Sequence, residues 1–292
     1  MLVKTNRLLP KQIKALEALI QTCQKKDSYH IPLYLHLLKR PRAAASNLLY
    51  WQDNHLIAFL GTYYFYEHGC EIALMVSPEH RRQGVARLML EHALPHLQTA
   101  NMLSMIFSAI PQEDNRWLKQ AGLRYRGSEY GMLRSTQEPV PAQSSNLDIR
   151  AANFDDVEAL YQLDRICFPE SENNMASRFN DLLEDKSYKL YVAAIDGQII
   201  GKAHVHLLRN EIRLADIAIF PAHQKKGYGR ELIAHCINEI LSTKPLDIVL
   251  DVETNNKNAL TLYTNLGFDI KNMCDYWEIP TRKLITYLQS KI

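Results

Sequence analysis

Asp216-Ile217-Ala218-Ile219-Phe220-Pro221-Ala222-His223-Gln224-Lys225-Lys226-Gly227-Tyr228-Gly229-Arg230 reads as a strand that stops at a proline, turns through a basic, glycine-bearing loop and opens a helix. Ile212 to Phe220 is a β-rich run. From Gly227 onward, Tyr228, Leu232, Cys236, Ile237, Ile240 and Leu241 fall on one face at helical period. Such a junction suits pyrophosphate, because the first amides of a helix lack internal partners and the helix dipole adds partial positive charge there. Gly227 and Gly229 present no side chain to block a phosphate, while Lys225, Lys226 and Arg230 supply charge. The spacing is neither that of a Walker loop nor that of a dinucleotide-binding Gly-x-Gly-x-x-Gly turn. A solvated basic turn would use the same residue types, so one copy alone is a weak signal.

There are two copies. Ile72-Ala73-Leu74-Met75-Val76-Ser77-Pro78 is followed by Arg81-Arg82-Gln83-Gly84-Val85-Ala86, and Gly84 lies 143 positions before Gly227. Ala121-Gly122-Leu123 and Leu266-Gly267-Phe268 recur at nearly the same offset, so a tandem duplication explains both. Between the copies, residues 136–146 have no apolar period, and Pro139 and Pro141 bar a helix. The segment reads as a linker. The expected domains are therefore 1–135 and 147–292. In the second, Leu147 to Arg150 is a short strand, Asp155 or Asp156 caps a helix, Ile199 to Leu208 and Ile248 to Val252 are strands, and Asn258 to Asn265 is a helix stopped by Gly267.

The bulk numbers agree with two globular domains: 292 residues, 47% hydrophobic and 23% charged. A formal net charge of +2 argues against a broad nucleic-acid-binding surface. No uninterrupted apolar stretch reaches the roughly 18 residues of a membrane span, and Lys4, Arg7, Lys11 and Lys14 break up the N-terminal apolar positions. Cys23, Cys70, Cys167, Cys236 and Cys274 are scattered, without a Cys-x-x-Cys pair, which points to reduced thiols in a cytoplasmic protein. His204 and His206 share one face of a strand, and no metal site is expected.

Val/Ile-x-Pro followed by Gln/Arg-x-x-Gly-x-Gly/Ala at a helix start resembles motif A of the GNAT acyltransferase superfamily. Asn256-Lys257-Asn258-Ala259-Leu260-Thr261-Leu262-Tyr263-Thr264-Asn265-Leu266-Gly267-Phe268 matches that family's Asn-x-x-Ala-x-x-Leu-Tyr-x-x-x-Gly-Phe. The resemblance is close over 147–270 and looser over 1–135. It implies an α/β (α+β) fold class: two tandem GNAT folds, each a central mixed twisted β-sheet flanked by helices and splayed between its fourth and fifth strands. It further implies an acyl-CoA-dependent N-acetyltransferase acting by direct transfer in a ternary complex, with acetyl-CoA as co-substrate and no metal. Ile217, Ala218 and Ile219 would offer backbone groups to pantetheine. Gln224, Lys225, Lys226, Gly227, Tyr228, Gly229 and Arg230 would cradle the pyrophosphate. Asn256 would bond the cofactor arm, its competing role being a helix cap.

Acetylation has two proton problems: the amine must lose a proton before it attacks, and the leaving thiolate departs more easily protonated. By the resemblance Tyr263 is the acid, with Leu262 expected to take the packing position beside it. The base is open: Asp251, twelve residues before Tyr263 on a strand face shared with Glu253, or Asp216, or a water chain. In the first half Leu118 replaces Tyr263, Pro111 replaces Asn256 and Leu123 replaces Phe268, so that copy is expected to be catalytically degenerate while keeping Arg81, Gly84 and Ala86. The expected partner is a small-molecule or peptide amine, with no nucleic acid and no membrane, and a homodimer is compatible. The competing class is a non-catalytic acetyl-CoA-binding regulatory or interaction protein.

Overall fold

Strands form where apolar residues alternate or run unbroken, and helices where they recur every third or fourth residue. In the computed structural model, residues 1–42, 46–66, 68–111, 116–141, 146–168, 175–208, 211–243 and 246–290 are described. The first half runs β1 (Leu2–Thr5), α1 (Pro10–Asp27), α2 (Leu35–Lys39), β2 (Asn47–Gln52), β3 (His55–Tyr63), β4 (Gly69–Val76), α3 (Val85–Thr99), β5 (Ser104–Ala109), α4 (Arg116–Gln120) and β6 (Arg124–Arg134). The second runs β7 (Asp148–Ala151), α5 (Val157–Cys167), α6 (Met175–Glu184), β8 (Tyr188–Ile195), β9 (Gln198–Leu207), β10 (Ile212–Ile219), α7 (Tyr228–Thr243), β11 (Ile248–Glu253), α8 (Lys257–Asn265), β12 (Asp269–Pro280) and α9 (Thr281–Gln289). The β-rich runs, the α7 face and the glycine stop at Gly267, with φ +87°, fall where the sequence places them.

The chain divides into two units, residues 1–129 with 272–292, and residues 130–271. This departs from the boundaries expected at 135 and 147. The first unit's sheet has the order β1-β2-β3-β4-β5-β12, with β4 and β5 parallel and β12 antiparallel to β5 from Asp275↔Ala109 to Pro280↔Ser104. The second unit's sheet has the order β7-β8-β9-β10-β11-β6. Each sheet is thus closed by a strand from outside its own half of the sequence. The physical reason is burial: Trp277, Ile279, Leu284 and Leu288 of β12 and α9 share one core cluster with Val85, Met89 and Leu118. Apolar pattern says that a strand has an inner face, not which sheet edge receives it.

In the first unit, Val85, Met89, Leu90, Ala93 and Leu97 of α3 pack on one sheet face and Ile13, Leu16, Leu19 and Cys23 of α1 on the other. In the second, Leu232, Ile233, Cys236, Ile237 and Ile240 of α7 cover one face, while Leu160 of α5 and Phe179 of α6 meet Leu190 and Val192 of β8. At about 1.5–3 kcal/mol for each buried Leu or Ile, this packing outweighs differences in helix propensity of less than about 1 kcal/mol per residue. Residues 135–141 carry no helix or strand, as the prolines require. They are nevertheless docked, because Val140 donates its amide to Asn238 Oδ1 at 2.8 Å and accepts from Asn238 Nδ2 at 2.9 Å. The remainder of the expected linker, 142–145, lies outside the described residues. Neither Asp155 nor Asp156 caps α5 by its side chain: Asn153 caps the short turn ahead of it, and Asp156, at the helix N-cap, engages Arg150 at 2.7 Å instead.

Candidate active site

The quoted stretch folds as read, and the two copies share a backbone. A short 3-10 helix, Pro221–His223 in one and Pro78–His80 in the other, leads into each loop. Lys225 (φ +60°) and Gly227 (φ +89°) take the left-handed conformation, as do Arg82 (φ +62°) and Gly84 (φ +81°). Gln224 Nε2 bonds Ile219 O at 2.9 Å, and Arg81 Nε bonds Val76 O at 3.0 Å, at equivalent positions. Glu231 N to Gly227 O, at 3.1 Å, opens the α7 ladder, so the amides of Tyr228, Gly229 and Arg230 precede it. A Cβ on Gly229 would find only ordinary contacts, with Ile219 at 3.7 Å and Leu262 at 3.8 Å. Its lack of a side chain is therefore not demanded by the protein's own packing.

The copies differ in what their cations do. Arg81 forms a paired contact with the buried carboxylate of Asp27, at 2.7 and 2.5 Å, and Arg87 pairs with Glu91 at 2.7 Å. Lys225, Lys226 and Arg230 make no side-chain ion pair or hydrogen bond to the described residues, and Arg230 Nη1 is buried without a partner. Uncommitted positive charge beside free helix amides fits a phosphate group.

The strands differ as well. In the first unit β4 and β5 pair over Gly69↔Ser104 to Ala73↔Ser108, and only Leu74 to Val76 continue without a β5 partner among the described residues. In the second, β10 meets β11 only at Ile212↔Ile248 and Arg213↔Val249, and Leu214 to Ile219 continue without a β11 partner among the described residues. A bulge between Ala215 and Ala218 accompanies the parting, with Asp216 at φ +47°. Ile217 lies in this bulge, Ala218 faces Lys202 of β9, and Ile219 O is already held by Gln224 Nε2 and, at 3.6 Å, by Cys167 Sγ.

Asn256 is the N-cap of α8, its Oδ1 accepting from Ala259 N at 3.1 Å. The capping role is therefore real, and its amide donor stays uncommitted among the described residues. Tyr263 is 8% exposed within the core cluster of Leu250, Val252, Leu266 and Phe268, whereas Leu262 is only half-buried. The expected division of labour is thus reversed, and the tyrosine itself packs. Burial pushes its phenol up to about 12, so it is protonated at neutral pH. Asp251 lies on the other, exposed face of β11 with Glu253, its carboxylate in ion-pair contact with Arg213. Asp251 and Tyr263 are therefore not brought to one side of the strand.

Asp216 has the richer surroundings. It accepts from His204 Nδ1 at 2.9 Å and is in ion-pair contact with Arg178 of α6. Lys202, with no exposed side-chain surface, is in ion-pair contact with Asp164, and its Nζ lies 5.0 Å from the Phe179 ring centroid. Burial opposes the charge on Asp216, yet the His204 hydrogen bond and the neighbouring cations hold it well below the usual carboxylate range. Burial pushes Lys202 and His204 down. Sequence reading missed Asp164, Arg178 and Lys202, although a lysine between Gly201 and Ala203 in an apolar strand is a visible signal. His206 stacks on Tyr188 at 4.0 Å instead of joining His204 in a ligand set. Leu118, Leu123 and Trp277 fill the first unit's core, with Leu118 wholly buried. No group of three or more potential metal ligands occurs among the described residues, and no helix among them is long and apolar enough to cross a membrane.

A basic, glycine-bearing strand–loop–helix junction thus occurs twice, each time on a mixed sheet. The sequence profile of the Acetyltransferase (GNAT) family matches residues 13–118 and 157–268, and the chain belongs to that family as an N-acetyltransferase. It is 29% identical over 116 residues to the ribosomal protein bS18-alanine N-acetyltransferase of Escherichia coli strain K12, a match covering 39% of this chain and 75% of that one. It is 22% identical over 304 residues to the mycothiol acetyltransferase of Acidimicrobium ferrooxidans, covering 94% and 95% of the two chains. Its fold is shared with a GCN5-related N-acetyltransferase from Sphaerobacter thermophilus (TM-score 0.78, 15% identity, 96% of each chain). A tandem GNAT protein from the clavulanic acid biosynthesis pathway shares it too (TM-score 0.70, 12% identity, 96% of this chain and 98% of that one).

Proposed function

We propose that the protein moves an acetyl group from acetyl-CoA to a primary amine directly, in a ternary complex, and that the second unit carries the site. The observation behind this is the contrast between the copies: Lys225, Lys226 and Arg230 are uncommitted where β10 leaves β11 after Arg213, whereas β4 keeps β5 as far as Ala73 and its loop's Arg81 is bound to Asp27. Lys225 to Arg230 and the first α7 amides take the pyrophosphate, and the open edge of β10 around Ile217 and Ala218 and the Asn256 amide take the pantetheine arm. The amine attacks the thioester carbonyl, a C–N bond forms, and the C–S bond breaks as thiolate leaves.

Tyr263, held protonated by burial, supplies the proton to the thiolate. Asp251 is a base only once Arg213 releases it. Asp216 is held ionised by its neighbours and is correspondingly weak as a base. The amine therefore loses its proton through water or through Asp251. The acceptor is an amine of the kind named for the relatives, a peptide α-amine or a small molecule. Incubation with acetyl-CoA and a panel of N-terminal peptides, amino acids, polyamines and aminated antibiotics, read by mass spectrometry, tests this. Thiol release without any +42 Da product, or no turnover on any acceptor, would count against it.

A further inference from the structure

The two units hold an internal comparison. Ala58 faces Val76 in the first as Gly201 faces Ile219 in the second, so Lys202 and His204 occupy the positions of Phe59 and Gly61; Gly61 faces Ala73 as His204 faces Ala215, which leaves Asp216 inside the bulge with no first-unit counterpart. In the first unit β3 and β4 pair without a bulge from Ala58↔Val76 to Tyr63↔Glu71, and β4 keeps its β5 partners as far as Ala73. In the second, with Lys202 and His204 on β9 and Asp216 inserted in β10, β10 bulges and its last β11 partner is at Arg213, two places earlier than the last pair of β4 and β5.

Four charges balance within this group: Lys202 and Arg178 against Asp164 and Asp216. Lys202 and Asp164 are 0% and 1% exposed, so neither ion can find water if the other moves. His204, 1% exposed, donates through Nδ1 to Asp216, and its Nε2 is buried without a partner among the described residues. Arg178 reaches from α6 to Asp216 and lies 3.9 Å from Asp164, so it ties both carboxylates to that helix. Asp216 itself sits in the left-handed region, at φ +47°, a conformation that aspartate tolerates better than most residues.

We propose that the Asp164–Lys202–Asp216–Arg178 network, with His204 as its neutral member, is a clamp that holds the β10 bulge and so keeps the strand edge open to acetyl-CoA; Arg178 and Asp216 are its positioning residues. The cofactor half of this statement rests on the reading of the second unit as the acetyl-CoA site. The clamp acts through geometry and does not touch the reacting atoms. It also ties α6 to the cofactor strand, so the helix and the open edge move together.

The test uses the full chain. Arg178→Gln removes one partner from a side chain that is 39% exposed, so folding survives it, and Asp216→Asn keeps a residue tolerant of left-handed backbone while deleting the charge. Both should speed amide exchange across 214–219 about tenfold and weaken acetyl-CoA binding in calorimetry about tenfold, because a site formed only part of the time binds in proportion to its population. Arg178→Lys, which restores the charge, should recover both to within about threefold, a rescue that loss of general stability would not show. Exchange and affinity within twofold of wild type in both variants, or Arg178→Lys as impaired as Arg178→Gln, overturns the clamp. If wild-type protein binds no acetyl-CoA, the reading of the site falls, and the exchange contrast still decides whether the network holds the bulge.

Discussion

Gly227→Asp is the sharpest probe of the phosphate loop. At φ +89° the backbone favours glycine, though Lys225 two residues earlier shows that the loop accepts an L-residue at φ +60°. The strain cost is about 1 kcal/mol and falls on stability, not on binding. The binding cost is electrostatic. A carboxylate at roughly 5 Å from a phosphate charge repels it by about 0.8 kcal/mol in water and about 3 kcal/mol at an effective dielectric constant of 20. Lys225, Lys226 and Arg230 have no carboxylate to satisfy among the described residues, so the new aspartate would also draw on the charge meant for the ligand. A loss of about 1–3 kcal/mol corresponds to a roughly 5- to 150-fold weaker Kd for acetyl-CoA. Isothermal calorimetry measures it, with circular dichroism to show the fold intact and Gly84→Asp as the matched change in the other loop. Gly84→Asp should leave the main Kd unchanged. Unaltered affinity in folded Gly227→Asp protein would refute the assignment of this loop to pyrophosphate.

Tyr263→Phe should leave acetyl-CoA affinity near that of the wild type and lower turnover about 10²-fold, the low end for general acid catalysis because a thiolate is already a fair leaving group; equal single-turnover rates would return Tyr263 to packing alone. Arg81→Met should destabilise the first unit by about 2–3 kcal/mol in urea, since Asp27, 2% exposed, loses its partner, without altering acetyl-CoA affinity. Ending the chain at residue 271 should cost the first unit its fold, because Trp277, Ile279, Leu284 and Leu288 leave its core at about 2–5 kcal/mol each against a usual total of about 5–15; native-like proteolysis resistance of residues 1–129 would contradict that. His204 has its pKa lowered by burial, so below about pH 6.5 the unfolded chain takes up a proton that the native state refuses, and stability falls as pH drops through that window. His204→Gln should flatten the change in urea midpoint between pH 7 and about pH 5.5, whereas the contribution of Asp216, lowered by its partners, is lost only below about pH 4.

Local chemistry is what the amino-acid order determined here. The repeat at 143 residues, the strand–loop–helix junctions, the paired left-handed loop positions and the cap at Asn256 all depend on residues within one turn or one strand of each other. Proline, glycine and apolar period specify these directly. A difference between the copies was visible as well, in Leu118 at the place of Tyr263. Other features belong to residues far apart in the chain. Which sheet receives β12 and which receives β6 follows from whose core Trp277 and Met132 fill, and period alone is silent on that. Leu262 and Tyr263 are neighbours that both suit a core, and only packing put Tyr263 inside. Asp251 was the better base by position, yet on an exposed strand face it found Arg213. Asp216 gained its meaning from Arg178, 38 residues away, and from His204 across the strand pair. An ion's role is set by the charges folding brings within a few ångströms of it, and sequence distance does not measure that separation.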